Sequence, residues 1–128
     1  MQLIRPKKVF IVDDDFMTAE LLKDTIQEKA AHQVSIFETG EDCFSALPQK
    51  PDVVILDYHL NSNYKDAANG LEILQLIHKN YPSIKIYMLS SQQHYAIAMQ
   101  TMQKGATEYF IKEPQAFTAI AAAINEMR

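Results

Sequence analysis

The sequence predicts a doubly wound α/β domain, a five-stranded parallel sheet with helices on both faces. Three observations carry this. Short apolar runs, rich in β-branched residues, recur along the chain: KVFIV (8–12), QVSIF (33–37), DVVIL (52–56), IKIYML (84–89) and TEYFI (107–111). Between them stand segments whose apolar residues return at the spacing of a helix rather than of a strand. Strands and helices alternate in this way from end to end, which is the pattern of a parallel sheet joined by crossover helices.

Each helix has its own signature. FMTAELLKDTIQEKA (16–30) sets Phe16, Ala19, Leu22 and Ile26 along one side. GEDCFSAL (40–47) is a short helix closed by Pro48 and Pro51. GLEILQLIHKNY (70–81) carries Leu71, Leu74, Ile77 and Tyr81 at helical spacing and is stopped by Pro82. QQHYAIAMQTMQK (92–104) presents Tyr95, Met99 and Met102 on one face, which is expected to enter the core, and leaves His94, Ile97 and Thr101 off it to meet a partner. Gly105 is placed to cap that helix. Pro114 opens the last helix, PQAFTAIAAAINEMR, with Phe117, Ile120, Ile124 and Met127 in register. Right-handed crossovers leave few ways to order five parallel strands, and the simplest is the flavodoxin-like order 2-1-3-4-5.

Length and composition fit one domain over residues 1–128, large enough to bury a core without disulfides or a structural metal, with no output domain expected. A net charge of −4 lacks the basic footprint of a nucleic-acid binder. No segment approaches the ~20 apolar residues that span a bilayer. The first residues, MQLIRPKKVFIVDDD, break off into acids too soon for a signal peptide, so a cytoplasmic location is expected. Cys43 is the single cysteine and is expected to pack on its short helix. His32, His59, His78 and His94 share no ligand spacing and read as surface or loop residues.

Doubly wound sheets bind ligands beyond the carboxyl ends of their strands, where strand order reverses. In the order 2-1-3-4-5 that crevice opens between strands 1 and 3. Strand 1 ends in Asp13, Asp14 and Asp15, strand 3 in Asp57, strand 4 in Ser90 and Ser91, and strand 5 in Lys112. Asp57 is therefore expected to face Asp13 and Asp14 across the crevice, while Asp15 reads as the N-cap of the first helix. Carboxylates that close repel one another, and a hard cation that takes oxygen ligands, Mg²⁺, relieves them. An acid beside a cation, an ammonium and a hydroxyl makes a site for phosphoryl transfer, with Asp57 as nucleophile and an acyl phosphate as product.

The motifs IVDDD (11–15), VVILD (53–57), YMLSS (87–91) and GATEYFIK (105–112), in this order and each at a strand end, resemble those of the receiver domain of two-component response regulators. The resemblance covers the whole chain. It implies that Asp57 is the phosphoacceptor and that Asp13 and Asp14 hold Mg²⁺, Asp14 directly and Asp13 through water, with the backbone carbonyl of His59. It implies that Ser90 is the switch hydroxyl, Tyr109 the aromatic that follows it, and Lys112 the lysine that pairs with the phosphoryl group. His59 and Gln92 fall where this family tunes phosphoryl lifetime. The implied partners are a sensor histidine kinase or histidine phosphotransfer protein, and a downstream target or output domain that reads helix 4, strand 5 and helix 5, a face that also supports homodimers.

Two departures stand out. Residues 61–69 form a long polar loop after Asp57 that lacks the usual proline and brings Tyr64, Lys65 and Asp66 toward the site. The usual Lys-Pro pair is Lys112-Glu113-Pro114 here. Two other readings compete. A small aspartate-nucleophile phosphatase would use Asp13 in Asp13-Asp14-Asp15, but Met17 stands where such enzymes want Thr or Val, and no second acidic pair follows late in the chain. A degenerate receiver serving only as an interaction module is at odds with the intact acids, hydroxyl and lysine.

Overall fold

The computed structural model describes residues 3–60, 68–91 and 95–127. The elements run β1 (Lys8–Val12), α1 (Phe16–Ile26), β2 (Gln33–Phe37), α2 (Gly40–Ala46), a 3-10 turn (Leu47–Gln49), β3 (Val53–Asp57), α3 (Gly70–Asn80), β4 (Lys85–Ser90), α4 (Tyr95–Gln103), β5 (Glu108–Ile111) and α5 (Pro114–Asn125). The sheet order is β2-β1-β3-β4-β5, and every pairing is parallel. This is the expected order, and the strands lie within a residue of where the apolar runs put them.

The two-residue period of the strands divides the core into two layers. Val9, Ile11, Val53, Ile55 and Leu89 face α1 and α5, meeting Ala19, Leu22, Ile26, Ile120 and Ile124. Phe10, Val12, Val54, Leu56 and Met88 face the other way, onto Cys43, Leu47, Ile73, Leu74 and Ile77. Cys43 is buried in that second layer, and burial pushes its thiol up to about 12, so it packs as an inert hydrophobe. Among the described residues no helix is long and apolar enough to cross a membrane.

Local signals fix the helix ends that border the site. The Asp15 carboxylate accepts the Met17 N–H and the Thr18 hydroxyl, which makes it the N-cap of α1 as expected. Asn69 and Glu72 close a reciprocal capping box at the start of α3. Gly105 follows α4 with a φ of 118°, the left-handed region open to glycine.

The structure corrects four expectations. Helix α1 ends at Ile26 rather than at residue 30; Gln27 caps it there, its N–H donating to the Lys23 and Thr25 carbonyls. Phe16 is 66% exposed. At 3.6 residues per turn it lies about 90° round the helix from the buried Ala19, Leu22 and Ile26. His32 is buried: its Nδ1 accepts the Lys7 N–H at 2.9 Å, and its Nε2 lies 2.7 Å from Asn125 Oδ1. Helix α4 is turned the other way round. Tyr95, Met99 and Met102 are 80%, 43% and 45% exposed, while Thr101 is fully buried and Ile97 half-buried. The stripe exists at the predicted spacing, but the helix lays its smaller residues on the sheet. His94 lies outside the described residues.

Gly70 locks α3 against the end of β3. A Cβ there would stand 2.4 Å from the Asp57 carbonyl oxygen and 2.6 Å from the Tyr58 Cα, both backbone, and the Gly70 N–H donates to the Tyr58 carbonyl at 3.1 Å. Gly70→Ala is expected to destabilise the fold by about 1–3 kcal/mol, as overpacking does. Urea denaturation measures this, and an unchanged midpoint would show that α3 can shift freely from β3.

Candidate functional site

Asp13, Asp57, Ser90 and Lys112 each stand at the end of a strand or one step past it, where the sheet ladder still holds the backbone. Asp13 follows β1, and its N–H donates to the Phe37 carbonyl at 3.0 Å. Asp57 is the last residue of β3 and sits in register with Leu89. Its neighbour Tyr58 continues that ladder to the Leu89 carbonyl at 3.0 Å. Lys112 follows β5, and its N–H donates to the Ser90 carbonyl at 2.7 Å. Sheet geometry thus places these side chains before any of them interacts.

The side chains converge as the strand order predicts. Carboxylate oxygens of Asp13, Asp14 and Asp57 all lie within 4.8 Å of one another. Lys112 Nζ stands 3.1 Å from Asp13 Oδ2 and 3.5 Å from Asp57 Oδ2. Asp13 Oδ1 accepts the Asp15 N–H at 2.8 Å, and Asp57 Oδ1 accepts the His59 N–H at 3.1 Å. Asp13 is 2% exposed and Asp57 4%.

Burial is the main electrostatic fact here. It raises the Asp13 carboxyl, with help from Asp57, to about 6, against the pull of the Asp15 N–H and Lys112. Burial also raises Asp57, while Lys112 and the His59 N–H oppose it and Asp14 adds to it. Burial by itself would lower the Lys112 ammonium, but Asp57 and Asp13 outweigh it, so it is held above the ordinary lysine range. Among the described residues three acids face one ammonium, and this cluster retains excess negative charge when ionised. All its donors are hard oxygens. A divalent cation with oxygen preference fits this set, with Asp13, Asp14 and Asp57 as the residues to hold it.

Ser90, Tyr109 and His59 lie on or just past the same strands. Ser90 is the last residue of β4 and fully buried. Tyr109 lies on β5 beside Met88, half-buried against the second core layer. His59 is half-buried, its ring edge-on to Tyr58 at 5.1 Å. Among the described residues no peptide bond is cis, so Glu113–Pro114 is trans, and Pro114 starts α5. Gln92, and Tyr64, Lys65 and Asp66 of the long loop, lie outside the described residues. Two features escaped sequence reasoning: the His59 N–H as a donor to Asp57, and Gly70 beneath the Asp57–Tyr58 peptide. A glycine at the start of an amphipathic helix was the available signal for the second.

The raised Asp13 has a consequence for stability. Its folded value, about 6, exceeds the 3.8 of an exposed Asp, so the native state holds the proton more tightly. Its contribution is fully present below pH ~4 and is lost as pH rises through ~6. In metal-free buffer, Asp13→Asn is expected to stabilise the fold at pH 7.5, by up to about 3 kcal/mol. The gain should fade toward pH 4. Thermal melts across that range check this, and a gain independent of pH would contradict it.

Comparison with known proteins agrees with this geometry. The family model described as "Response regulator receiver domain" matches residues 9–125. The chemotaxis protein CheY of Listeria monocytogenes is 28% identical over 116 residues, which cover 90% of this chain and 93% of that one. The transcriptional regulatory protein LnrK of Bacillus subtilis is 26% identical over 120 residues, 92% of this chain but 52% of LnrK, so the chain spans about half of that relative. Among solved structures, the BeF3-activated receiver domain of DrrB, from Thermotoga maritima, superimposes with a TM-score of 0.78 at 25% identity, over 96% of this chain and 100% of that one. A CheY-like receiver domain protein from Methanospirillum hungatei gives 0.80 at 22% identity over 95% and 93%, a likeness of fold. An acid pair after β1, a lone buried acid ending β3 and a lysine after β5, on a 2-1-3-4-5 sheet, together with these matches, make this chain a member of the response regulator receiver domain family of two-component systems.

Proposed function

We propose that this receiver is a phosphorylation-dependent switch in which Asp57 accepts a phosphoryl group from a histidine kinase or a histidine phosphotransfer protein. The observation that carries the reading is the buried Asp57 carboxylate at the end of β3, with Lys112 Nζ at 3.5 Å and the acids of Asp13 and Asp14 within reach of a shared cation. An Asp57 oxygen attacks phosphorus, the O–P bond forms, and the P–N bond of the donor phosphohistidine breaks. Attack needs the ionised carboxylate, and Lys112 and the His59 N–H favour that form against the cost of burial. Lys112 then faces the phosphoryl oxygens. Mg²⁺ held by Asp13, Asp14, Asp57 and the His59 carbonyl would supply the remaining positive charge for those oxygens. The domain is a signalling acceptor rather than a classical enzyme, and its own reactions are self-phosphorylation from small donors and loss of the phosphoryl group.

The proposed output runs through Ser90 and Tyr109 to the face of α4, β5 and α5. Ser90 is buried beside the site at the end of β4, and Tyr109 is one strand away on β5. The phosphoryl group biases a domain that samples two arrangements. The outward Tyr95, Met99 and Met102 give α4 an exposed apolar stripe suited to a downstream protein or a second copy of the chain. Direct nucleic-acid binding is not part of this reading, and a cytoplasmic setting is.

Incubation with Mg²⁺ and acetyl phosphate should add one phosphoryl group by intact mass, absent without Mg²⁺ and absent from Asp57→Ala. Retention of the group in Asp57→Ala would move the nucleophile to Asp13 and favour the phosphatase reading. A variant separates chemistry from switching. Ser90→Ala is expected to take the label on Asp57 and to lose the phosphorylation-induced amide shifts of α4 and β5 in NMR spectra. Full shifts in that variant would remove Ser90 from the switch.

A further inference from the structure

At the end of the sheet opposite the acidic cluster, the N-terminal ends of β1, β3 and β4 converge around a cavity of about 550 Å³. The 3-10 turn, the α3–β4 connection and the end of α5 complete its wall. Three lysines, Lys7, Lys50 and Lys85, line it together with Tyr81 and Ser83. Asp52 is the one carboxylate among the described residues of that wall, and its Oδ2 is engaged by the Lys8 N–H at 2.8 Å. Among the described residues, no carboxylate lies within ion-pair distance of any of the three ammonium groups. In a chain of net charge −4, this is a local excess of positive charge, three lysines to one carboxylate among the described residues of the wall.

Two details separate it from an ordinary solvated lysine patch. Lys7 is 4% exposed, and its Nζ donates to the Arg5 carbonyl at 2.5 Å, a bond that leaves its charge without a counter-ion. Burying a charge in that way is costly unless an opposite charge arrives. Lys50 has φ 60° and ψ 63°, and it is the one non-glycine residue with positive φ among those described. That left-handed conformation favours glycine, so a lysine there is held against its backbone preference.

We propose that this cavity binds a small phosphate-bearing anion. Lysine ammonium groups recognise phosphate as point charges, and three around one cavity match a di- or triphosphate better than a single negative group. The volume lies within the range of small-molecule sites, roughly 300–1,000 Å³. The Tyr81 ring and the buried Pro51 offer an apolar wall for the rest of such a molecule. The site is independent of phosphoryl transfer. Asp52 and Asp57 lie at opposite ends of β3, about 16 Å apart along an extended strand.

The test is an amide NMR titration of the whole chain in EDTA, at constant ionic strength, with ATP, inorganic pyrophosphate, adenosine and citrate as probes. Without Mg²⁺ the acidic cluster offers no attraction to these anions, so shifts report the far end. ATP and pyrophosphate are expected to give saturable shifts in residues 47–52 and 81–85. Lys50→Glu and Lys85→Glu, both at exposed positions, should each weaken ATP binding by about tenfold or more while the amide spectrum away from the cavity stays that of the folded chain. Equal shifts from adenosine would overturn the anion assignment. Equal shifts from citrate would overturn the phosphate assignment. Unchanged affinity in both variants, or no saturable shift at all, would overturn the site.

Discussion

The carboxylates of Asp13 and Asp57 are held almost without solvent at the ends of two adjacent parallel strands, and the groups around them answer the cost of that burial. Lys112 reaches both acids. The Asp15 and His59 N–H groups each donate to one of them. Even so, burial keeps both carboxyls above the ordinary Asp range, so the cluster stays under electrostatic tension. A cation relieves that tension, and the presence of Lys112 keeps part of the relief inside the protein itself. Removal of any one acid lowers the repulsion, and removal of Lys112 raises it, which makes the cluster a single electrostatic unit rather than four separate residues.

The fold holds this unit by backbone more than by side chains. Asp13, Tyr58 and Lys112 each extend a sheet ladder by one hydrogen bond past the strand, so the acids and the lysine are anchored to the sheet itself. Helix α3 begins directly on the Asp57–Tyr58 peptide through Gly70, and its capping box fixes where that contact falls. The same helix buries Ile73, Leu74 and Ile77 in the second core layer. Packing of α3 and placement of Asp57 are therefore one constraint, with no room for a Cβ between them.

The sheet also has a polarity of charge. Among the described residues, its carboxyl edge gathers acids around Lys112, and its amino edge gathers lysines around Asp52, whose Oδ2 accepts a backbone N–H. Helix α4 adds a third kind of surface, apolar and outward, beside β5. The acidic cluster, the lysine-lined cavity and the apolar stripe thus occupy separate regions of one small domain.

The sequence by itself determined the strand order, because five apolar runs alternating with helical segments leave little topological freedom. It also determined the site, because Asp13, Asp57 and Lys112 each follow such a run, and parallel strands carry all three to the same edge. Periodicity revealed that α4 has an apolar stripe. Which side of α4 meets the sheet was decided by tertiary packing, since a helix with small residues opposite large ones satisfies the same pattern in either orientation, and here Thr101 and not Met99 lies inward. His32 reads as a loop residue because its partners, Lys7 and Asn125, lie far away in sequence and meet it only in the fold. The lysine cavity is hidden for the same reason. Lys7 precedes β1, Lys50 ends the 3-10 turn and Lys85 starts β4, each unremarkable alone, and only the assembled sheet brings them to one cavity.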